Sequence, residues 1–342
     1  MAQVRAMVQT GFGGPDVLRL TDVPVPVPGP ADVLVRVVAC GLNQLDVLQR
    51  RGVVRLPGLE LPHVAGMDVA GVVEAAGADS PVPVGARVLL DPSVPCGACP
   101  LCHEGRGGHC PNLRILGATI DGGLAEYVVA PASAAHVVPD AVDLTDAACL
   151  PTPWATAFHA VVTVGRLRAG ETLLVHGAAG SVGLAAVQIA QRVGAHVVAT
   201  VGSPEKAAAL AKVGVEHVAA PDAVAALVAD VTAGRGVDVV LEYLGPATWA
   251  TSMAALRIGG RLVFLGNTTG DEVSFSLSDA FHRGLELLGA GGYLASDMAA
   301  ALQLFADGGT ALVAGTFPLA DAGAAQDLLC ERSTVGRVLV IP

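Results

Sequence analysis

Three glycines between two apolar runs are the first feature of this sequence that points to chemistry. Gly177, Gly180 and Gly183 have G-x-x-G-x-x-G spacing, after the apolar run 173–176 and before a second run at 196–201. This order predicts strand, glycine turn, helix and parallel strand, and such a turn offers backbone N–H groups to a pyrophosphate. We therefore predict a dinucleotide site at Gly177, Ala179, Gly180, Ser181, Val182 and Gly183. The alternative is a structural turn that binds no ligand.

The end of the second apolar run indicates which cofactor the turn would bind. NAD-binding folds usually place an acidic residue about 20 residues beyond the glycines, where it holds the ribose 2′-hydroxyl. That place falls near Val201, where no acid stands, and Gly202, Ser203 and Lys206 follow. A small turn, a hydroxyl and an ammonium group suit a 2′-phosphate, so we predict NADPH as the cofactor. In the alternative interpretation, Lys206 is a solvated residue in the first turn of the next helix.

Four cysteines lie close together in a lobe rich in glycine and proline, residues 92–115. Their spacing is C-x2-C-x2-C-x7-C, and four thiolates at this spacing can form a tetrahedron around zinc. Four protein ligands leave no open position, so such an ion is structural. We predict one structural zinc ion, held by Cys96, Cys99, Cys102 and Cys110. A redox disulfide pair and a lobe without metal are the alternatives.

The composition argues against several classes of function. A formal net charge of −11 is unfavourable for nucleic acid as a main partner. Hydrophobic residues make up 52% of the chain, but prolines or the glycine turn interrupt its longest charge-free windows, 147–165 and 172–191, so no membrane span is expected. No signal peptide precedes the amphipathic pattern that starts at Val4, and seven cysteines suit a reducing compartment. We therefore expect a cytoplasmic protein.

The pattern of elements predicts two domains of an α/β protein in the 342 residues. The first third is β-rich, with strand patterns at 32–38, 64–77 and 84–91. Beyond the glycine turn, apolar strands such as 237–242 and 261–266 alternate with helices. That alternation is typical of a doubly wound parallel sheet.

Together these features resemble the medium-chain dehydrogenase/reductase superfamily over essentially the whole chain. Four stretches carry the resemblance: Gly-Leu-Asn at 41–43, the four-cysteine lobe, Gly-Gly-Leu-Ala-Glu-Tyr at 122–127, and the turn at 178–183. In that superfamily the active cleft lies between a catalytic and a nucleotide-binding domain. This agrees with the general rule that ligands bind at the carboxyl ends of an open α/β sheet.

The resemblance implies a definite domain organisation and assembly. Residues 1–150 and 296–342 would form a β-rich GroES-like catalytic domain, and residues 151–295 a Rossmann domain inserted in it. Small-molecule substrates and a homodimer formed through the Rossmann domains are implied as well. The apolar run at 286–293 is suited to pairing across a sheet edge.

The resemblance also identifies the places where zinc alcohol dehydrogenases of this superfamily hold a catalytic zinc with a cysteine, a histidine and a third cysteine or acid. Here those places hold Asn43, Met67 and Thr152, and none of these side chains is a competent zinc ligand. Asp68 is the one acid beside them, and a single ligand does not make a site. The Asn43 pattern instead resembles the quinone oxidoreductase and enoyl-reductase branch, which transfers hydride from NADPH without a metal.

This branch suggests catalytic roles for Asn43 and Asp46 in reducing a quinone or a conjugated enone. Such a reduction builds negative charge on an oxygen atom, which hydrogen-bond donors can stabilise. The Asn43 amide is a donor on the loop that the superfamily places in the cleft, and Asp46 can orient a donor or carry a proton. In the alternative interpretation, Asn43 only forms a turn and Asp46 only caps the following helix.

Further cofactor contacts are implied by the resemblance. Ribose and nicotinamide would meet Thr156, in a helix predicted over 144–164, and the strand ends at Leu244, Gly245, Gly266 and Asn267. Two other functions stay open at this point. One is an alcohol dehydrogenase or ketone reductase, and the other is a nucleotide-binding protein that assists a non-redox reaction.

Overall fold

The computed structural model describes residues 2–331 and 333–342. The chain forms two compact units, Met1–Thr152 with Phe305–Pro342, and Pro153–Leu304. The change from the second unit back to the first lies at 304–305, later than the predicted domain boundary at 295–296. The first unit is β-rich and the second is built on a parallel sheet, so the predicted fold class is confirmed.

The strands are numbered here in chain order. They are β1 (Gln3–Gln9), β2 (Leu18–Pro24), β3 (Asp32–Gly41), β4 (His63–Val64), β5 (Asp68–Ala76), β6 (Arg87–Leu90), β7 (Ser93–Val94), β8 (Arg114–Ile115), β9 (Tyr127–Pro131), β10 (Ala135–Val137), β11 (Thr172–Val175), β12 (His196–Thr200), β13 (His217–Ala219), β14 (Val237–Glu242), β15 (Leu256–Phe264), β16 (Glu286–Gly289), β17 (Val313–Pro318) and β18 (Arg337–Ile341).

The helices are numbered in the same way. They are α1 (Gln44–Arg50), α2 (Pro100–His103), α3 (Leu144–Ala147), α4 (Pro151–Phe158), α5 (Ser181–Val193), α6 (Pro204–Lys212), α7 (Val224–Val231), α8 (Pro246–Ala255), α9 (Leu277–His282), α10 (Ala295–Ala306) and α11 (Ala322–Cys330). No helix in the described part of the chain is long and apolar enough to cross a membrane.

The main sheet of the first unit has the strand order β10-β6-β5-β3-β18-β17, and β9 also pairs with β3. Valines that alternate along β3, such as Val33 and Val35, are buried against the cores of β5 and β18. Strand β18 runs antiparallel to β3, with Leu339 opposite Gly41. Since β18 begins at Arg337, this register brings the C-terminal part of the chain to the end of β3, where the loop containing Asn43 starts.

The second unit carries a parallel sheet with the strand order β13-β12-β11-β14-β15-β16. Its central strands are continuous apolar runs, because helices cover both faces of such a sheet. The chain adds β12 and β13 on one side of β11, and then crosses to add β14, β15 and β16 on its other side. This reversal creates the crevice at the carboxyl ends of the strands in which nucleotide-binding folds hold their ligands.

The helix predicted over 144–164 is broken into three segments. Helix α3 ends at Ala147, α4 begins at Pro151, and residues His159–Val164 form a π-helix. Proline has no N–H to continue a helix and disfavours helical backbone in the residue before it. Pro151 is therefore suited to begin a helix but not to continue one.

Candidate functional site

The predicted glycine turn joins β11 to the first turn of α5. Gly177 has a left-handed backbone with φ of 60°, and Gly180 is the N-terminal cap of α5. A Cβ at Gly183 would lie 2.7 Å from both the Ala178 Cα and the Tyr243 hydroxyl, so only glycine fits there. The Tyr243 hydroxyl also donates to the Gly177 carbonyl at 2.9 Å. This close packing leaves backbone N–H groups at the positive end of a 13-residue helix.

The proposed phosphate-selecting segment follows β12. Val201 is buried, Gly202 is exposed, and Ser203 caps α6. The Ser203 hydroxyl oxygen accepts a 3.4 Å hydrogen bond from the backbone N–H of Lys206, which lies half-buried in the first turn. The Ser203 side chain is thus joined to the backbone of Lys206, and both residues belong to the N-terminal end of α6.

A buried carboxylate that the sequence reasoning missed holds the loop after β14. Glu242 Oε1 accepts the backbone N–H groups of Leu244 and Gly245 at 2.8 and 2.9 Å. Its carboxylate also accepts hydrogen bonds from the Thr248 and Ser252 hydroxyls. The signal in the sequence is an acid directly after the apolar residues 239–241 of β14, because such a buried charge must be satisfied locally.

The loop after β15 is fastened to the loop after β14. The Thr268 and Thr269 hydroxyls donate to the carbonyl groups of Tyr243 and Leu244. Gly266 lies so close that a Cβ there would be 2.8 Å from the Tyr243 carbonyl oxygen, and the Asn267 amide donates to Asp271. The predicted cofactor contacts Leu244 and Gly245, after β14, and Gly266 and Asn267, after β15, therefore lie in two loops of the second unit that are hydrogen-bonded to each other.

Thr156 lies half-buried in α4, and a polar cluster ties the π-helix that follows α4 to α10. His159 Nδ1 lies 2.7 Å from Asp297 Oδ2, and the Thr163 hydroxyl donates to Asp297 Oδ1 at 2.6 Å. Burial acts to raise the pKa of Asp297, but the hydrogen bonds from His159 and Thr163 outweigh it and lower that pKa below its usual range. This cluster explains why residues 296–304 belong to the second unit.

The four lobe cysteines are brought together as a compact set. All four Sγ atoms lie within 4.8 Å of one another, with 3.5 Å between Cys99 and Cys102 and 3.9 Å between Cys99 and Cys110. A tetrahedron with Zn–S bonds of about 2.3 Å has sulfur–sulfur edges of roughly 3.8 Å. The separations match those edges, and the cysteines are free thiols, not disulfides. The set can therefore hold a tetrahedral metal ion.

Asn43 and Asp46 lie together at the start of α1. Asn43 is the N-terminal cap, and the Asp46 carboxylate accepts its backbone N–H at 2.6 Å. Asp46 is 3% exposed, and its Oδ1 has no hydrogen-bond partner among the described residues. Burial raises the pKa of Asp46 to about 7, and the charge of Asp68 adds to the rise. The helix cap is thus present, and it holds a carboxyl group whose pKa lies well above its usual range.

Asn43 and Thr152, which stand at two of the three places predicted to correspond to metal ligands, share a hydrogen-bonded network with Asp68. Asp68 Oδ1 accepts both the hydroxyl proton and the backbone N–H of Thr152, at 2.6 and 3.1 Å. The Asn43 amide nitrogen lies 3.5 Å from the Thr152 hydroxyl oxygen. Met67 is buried beside Asp68. The network is almost closed to solvent, since Asn43 is 8% exposed and Asp68 is fully buried.

Arg337 supplies the cation of this network, and sequence reasoning did not identify it. Its guanidinium donates to Asn43 Oδ1 at 2.9 Å and to Asp68 Oδ2 at 2.7 Å. Burial raises the pKa of Asp68, and the charge of Arg337 opposes this rise only in part. A Cβ at Gly41 would overlap the guanidinium, so the glycine of the Gly-Leu-Asn stretch makes room for it. The one signal in the sequence is an arginine directly before the apolar run of β18.

Comparisons with known proteins match most of the chain. A family model described as alcohol dehydrogenase GroES-like domain matches residues 29–140, and one described as zinc-binding dehydrogenase matches residues 181–307. A quinone oxidoreductase of Sus scrofa is 30% identical over 342 residues, which cover 96% of this chain and 95% of that protein.

Solved structures are similar over the same extent. The crystal structure of AibC has a TM-score of 0.94 and 36% identity, covering 99% of this chain and 96% of that one. The 2-octenoyl-CoA carboxylase reductase CinF, solved in complex with NADP and 2-octenoyl-CoA, has a TM-score of 0.89 and 26% identity, covering 99% and 87%.

The raised pKa of Asp46 predicts a pH dependence of stability. The pKa is near 4 in an unfolded chain and about 7 in the fold, so the folded state binds this proton more tightly. The contribution of Asp46 to the free energy of unfolding is therefore fully present below about pH 4 and is lost as pH rises through 7. In Asp46→Asn, which cannot ionise, the free energy of unfolding should vary less with pH between these values, by at most on the order of 4 kcal/mol.

Urea unfolding across that pH range is the measurement, and Asp22→Asn is the matched control because Asp22 is exposed on β2. The control should keep the wild-type pH dependence. An Asp46→Asn profile as steep as that of wild type would show that Asp46 is ionised normally in the fold.

Proposed function

Because the chain belongs to the medium-chain dehydrogenase/reductase superfamily, in its quinone-oxidoreductase-like branch, we propose that it reduces a quinone or a conjugated enone with NADPH. An oxidoreductase activity is what its relatives have in common. The observation that carries the finer proposal is the Asn43–Asp68–Thr152–Arg337 network, which offers hydrogen-bond donors where metal-dependent relatives need ligands.

When bound, NADPH would supply a hydride for the electrophilic carbon of the acceptor, and the glycine turn of the second unit would hold its pyrophosphate. The chain's own task is then to stabilise the negative charge that develops on the acceptor oxygen. The Asn43 Nδ2 group has two N–H donors; it lies 3.5 Å from the Thr152 hydroxyl oxygen, and the Asn43 side chain also interacts with the Asp68 carboxylate. We propose that one of these N–H donors serves the acceptor oxygen. Asp46, whose pKa burial raises toward neutral pH, would orient this loop or return a proton.

A metal-free reaction is favoured by the chemistry of the network. Zinc needs thiolate, imidazole or carboxylate ligands, and the three places hold an amide, a thioether and a hydroxyl. The remaining acid, Asp68, already accepts hydrogen bonds from Thr152 and pairs with Arg337. The positive charge of the Arg337 guanidinium beside Asp68 would also repel a zinc ion at this place.

The first test is acceptor-dependent NADPH oxidation, with a panel of quinones, enones and enoyl-CoA thioesters. We expect turnover that survives a chelator too mild to unfold the cysteine lobe. Asn43→Ala should lower kcat by roughly a hundredfold, as when one donor of an oxyanion site is removed, with little change in NADPH affinity. Asn43→Asp should also be slow, because its carboxylate repels the forming oxyanion.

Gln3→Ala is the control for this test, since it removes an exposed amide from β1. It should leave kcat unchanged. Near-normal turnover of Asn43→Ala would assign the donor to another group, and loss of activity on chelation of a folded protein would contradict the metal-free reaction. Oxidation of alcohols with NADP⁺ in place of enone reduction would favour an alcohol dehydrogenase.

We also propose NADPH preference, with Ser203 and Lys206 near the 2′-phosphate. Lys206→Ala should weaken NADPH binding by about tenfold, the value of one charged hydrogen bond, and change NADH binding little. The chain has one other lysine, Lys212, which is exposed at the end of the same helix α6, so Lys212→Ala is the matched control. Titration of each variant with both cofactors is the measurement. Equal weakening of NADPH and NADH would show that Lys206 does not recognise the phosphate.

The cysteine lobe is proposed to bind a structural zinc ion through Cys96, Cys99, Cys102 and Cys110. Metal analysis should find about one zinc ion per chain, and Cys99→Ser should lose it and melt at a lower temperature. Cys330→Ser changes a cysteine outside the lobe and should keep the ion. A second stoichiometric zinc ion in wild type, or a full zinc content in Cys99→Ser, would contradict this assignment.

A homodimer through the second unit is the proposed assembly. Strand β16 ends the sheet order, and exposed apolar side chains occur in the same unit at Ile258 (75%), Leu277 (73%) and Phe281 (65%). Light scattering at micromolar concentration should give a dimer mass, and Leu277→Glu with Phe281→Glu should give a monomer. Val137→Glu, at an exposed valine of the first unit, should stay dimeric. A monomeric wild type would contradict the assembly.

A further inference from the structure

The Asn43 side chain can act as a donor only if its amide has one particular orientation. Its two ends are nearly the same in shape, but the oxygen end would repel a developing oxyanion and the nitrogen end would stabilise it. The surroundings must therefore fix which end is free. A rotation of the amide by half a turn would convert the proposed donor into an acceptor.

Arg337 can fix that orientation because a guanidinium has only donors. Its Nη1 lies 2.9 Å from Asn43 Oδ1, so the oxygen end of the amide must face the arginine. The other guanidinium nitrogen, Nη2, lies 2.7 Å from Asp68 Oδ2, which holds the plane of the group in place. One rigid fork thus binds both residues, and a lysine could not reproduce this geometry.

Thr152 favours the same orientation of the Asn43 amide, because it contacts the nitrogen end. Its hydroxyl proton is donated to Asp68 Oδ1 at 2.6 Å, so its oxygen presents a lone pair to Asn43 Nδ2 at 3.5 Å. Asp68 accepts all its hydrogen bonds as a carboxylate and lies fully buried. The charges of Arg337 and Asp68 therefore set the direction of every hydrogen bond in the network.

We propose that Arg337 is the positioning residue of the substrate site, a buried cation that pins the oxygen end of the Asn43 amide and so presents its N–H2 group to the acceptor oxygen. This inference rests on the proposed function for the role of Asn43, but the orientation itself is a property of the free protein. Arg337 acts through Asn43 and is not itself a group that touches the substrate.

Kinetics of single and double variants test the proposal. Arg337→Met should lower kcat by a factor similar to that of Asn43→Ala, about a hundredfold, with NADPH affinity unchanged. In the Asn43→Ala background, Arg337→Met should lower kcat by a further factor of less than about three, because the amide that Arg337 would orient is already absent. Arg337→Lys should be intermediate. Arg337→Met with Asp68→Asn keeps the charge balanced, so it should fold even if the single variant does not, and it should be equally slow.

Arg50→Met is the matched control, because Arg50 is a buried arginine of the same unit that contacts Gly13 and Asp327 and not the network. It should lower stability without changing kcat. Near-wild-type kcat in Arg337→Met, or losses that multiply in the double variant, would overturn the proposal. So would a large loss of NADPH affinity at unchanged kcat, which would make Arg337 a cofactor ligand.

A readout without turnover separates this inference from the proposed function. In ¹⁵N-labelled protein, the Asn43 side-chain amide signals can be assigned by their absence from Asn43→Ala. Arg337→Met should shift or broaden these signals, and Arg50→Met should leave them in place. If no acceptor supports NADPH oxidation, the proposed function fails, while this spectrum still decides whether Arg337 holds the amide. Unchanged Asn43 signals in Arg337→Met would overturn the positioning role.

Discussion

The buried ion pair between Arg337 and Asp68 is the interaction on which the first unit's polar site depends. Breaking such a pair by removing one partner typically costs about 3–5 kcal/mol, because a charge is left buried without compensation. Replacing the whole pair by apolar groups is often neutral or stabilising. Stability alone therefore gives little reason to keep both charges. Their use is to give direction to an amide and a hydroxyl that would otherwise be free to turn.

The sheet explains how this pair forms. Strand β3 lies between β5 and β18, so Asp68 at the start of β5 and Arg337 at the start of β18 meet beside Gly41 at the end of β3. The loop with Asn43 leaves from the same point. In the second unit a single carboxylate, Glu242, has the corresponding task, since it accepts the backbone N–H groups of the loop after β14. Each unit thus uses a buried charge to fix a loop at the end of a strand.

The sequence was informative where the responsible residues are neighbours in the chain. The glycine turn and the four cysteines are local patterns, and the fold class and superfamily they suggested are confirmed. Asn43, Asp46, Asp68 and Thr152 were identified one by one, through a resemblance. Their common network was not foreseen, because it is closed by Arg337, 294 residues from Asn43.

Pairing of distant segments also explains the other features that the sequence did not reveal. His159 and Asp297 are 138 residues apart, and their contact decides to which unit the segment after β16 belongs. Periodicity reports which face of an element is apolar, and it says nothing about which buried charge will find which partner. The break before Pro151 is different, because it has a local cause in the sequence: proline cannot continue a helix.

The central claim is that this chain reduces an electron-poor double bond with a hydrogen-bond donor and no catalytic metal. Its most direct test is a single-turnover experiment in which enzyme loaded with NADPH is mixed with a quinone or enone and the nicotinamide absorbance is followed. We predict a decay that is slowed by deuterium at the transferred position of NADPH and is the same in protein prepared with zinc and in protein prepared with cobalt. A decay that needs zinc beyond one ion per chain, or a decay rate that depends on which metal is supplied, would contradict the account.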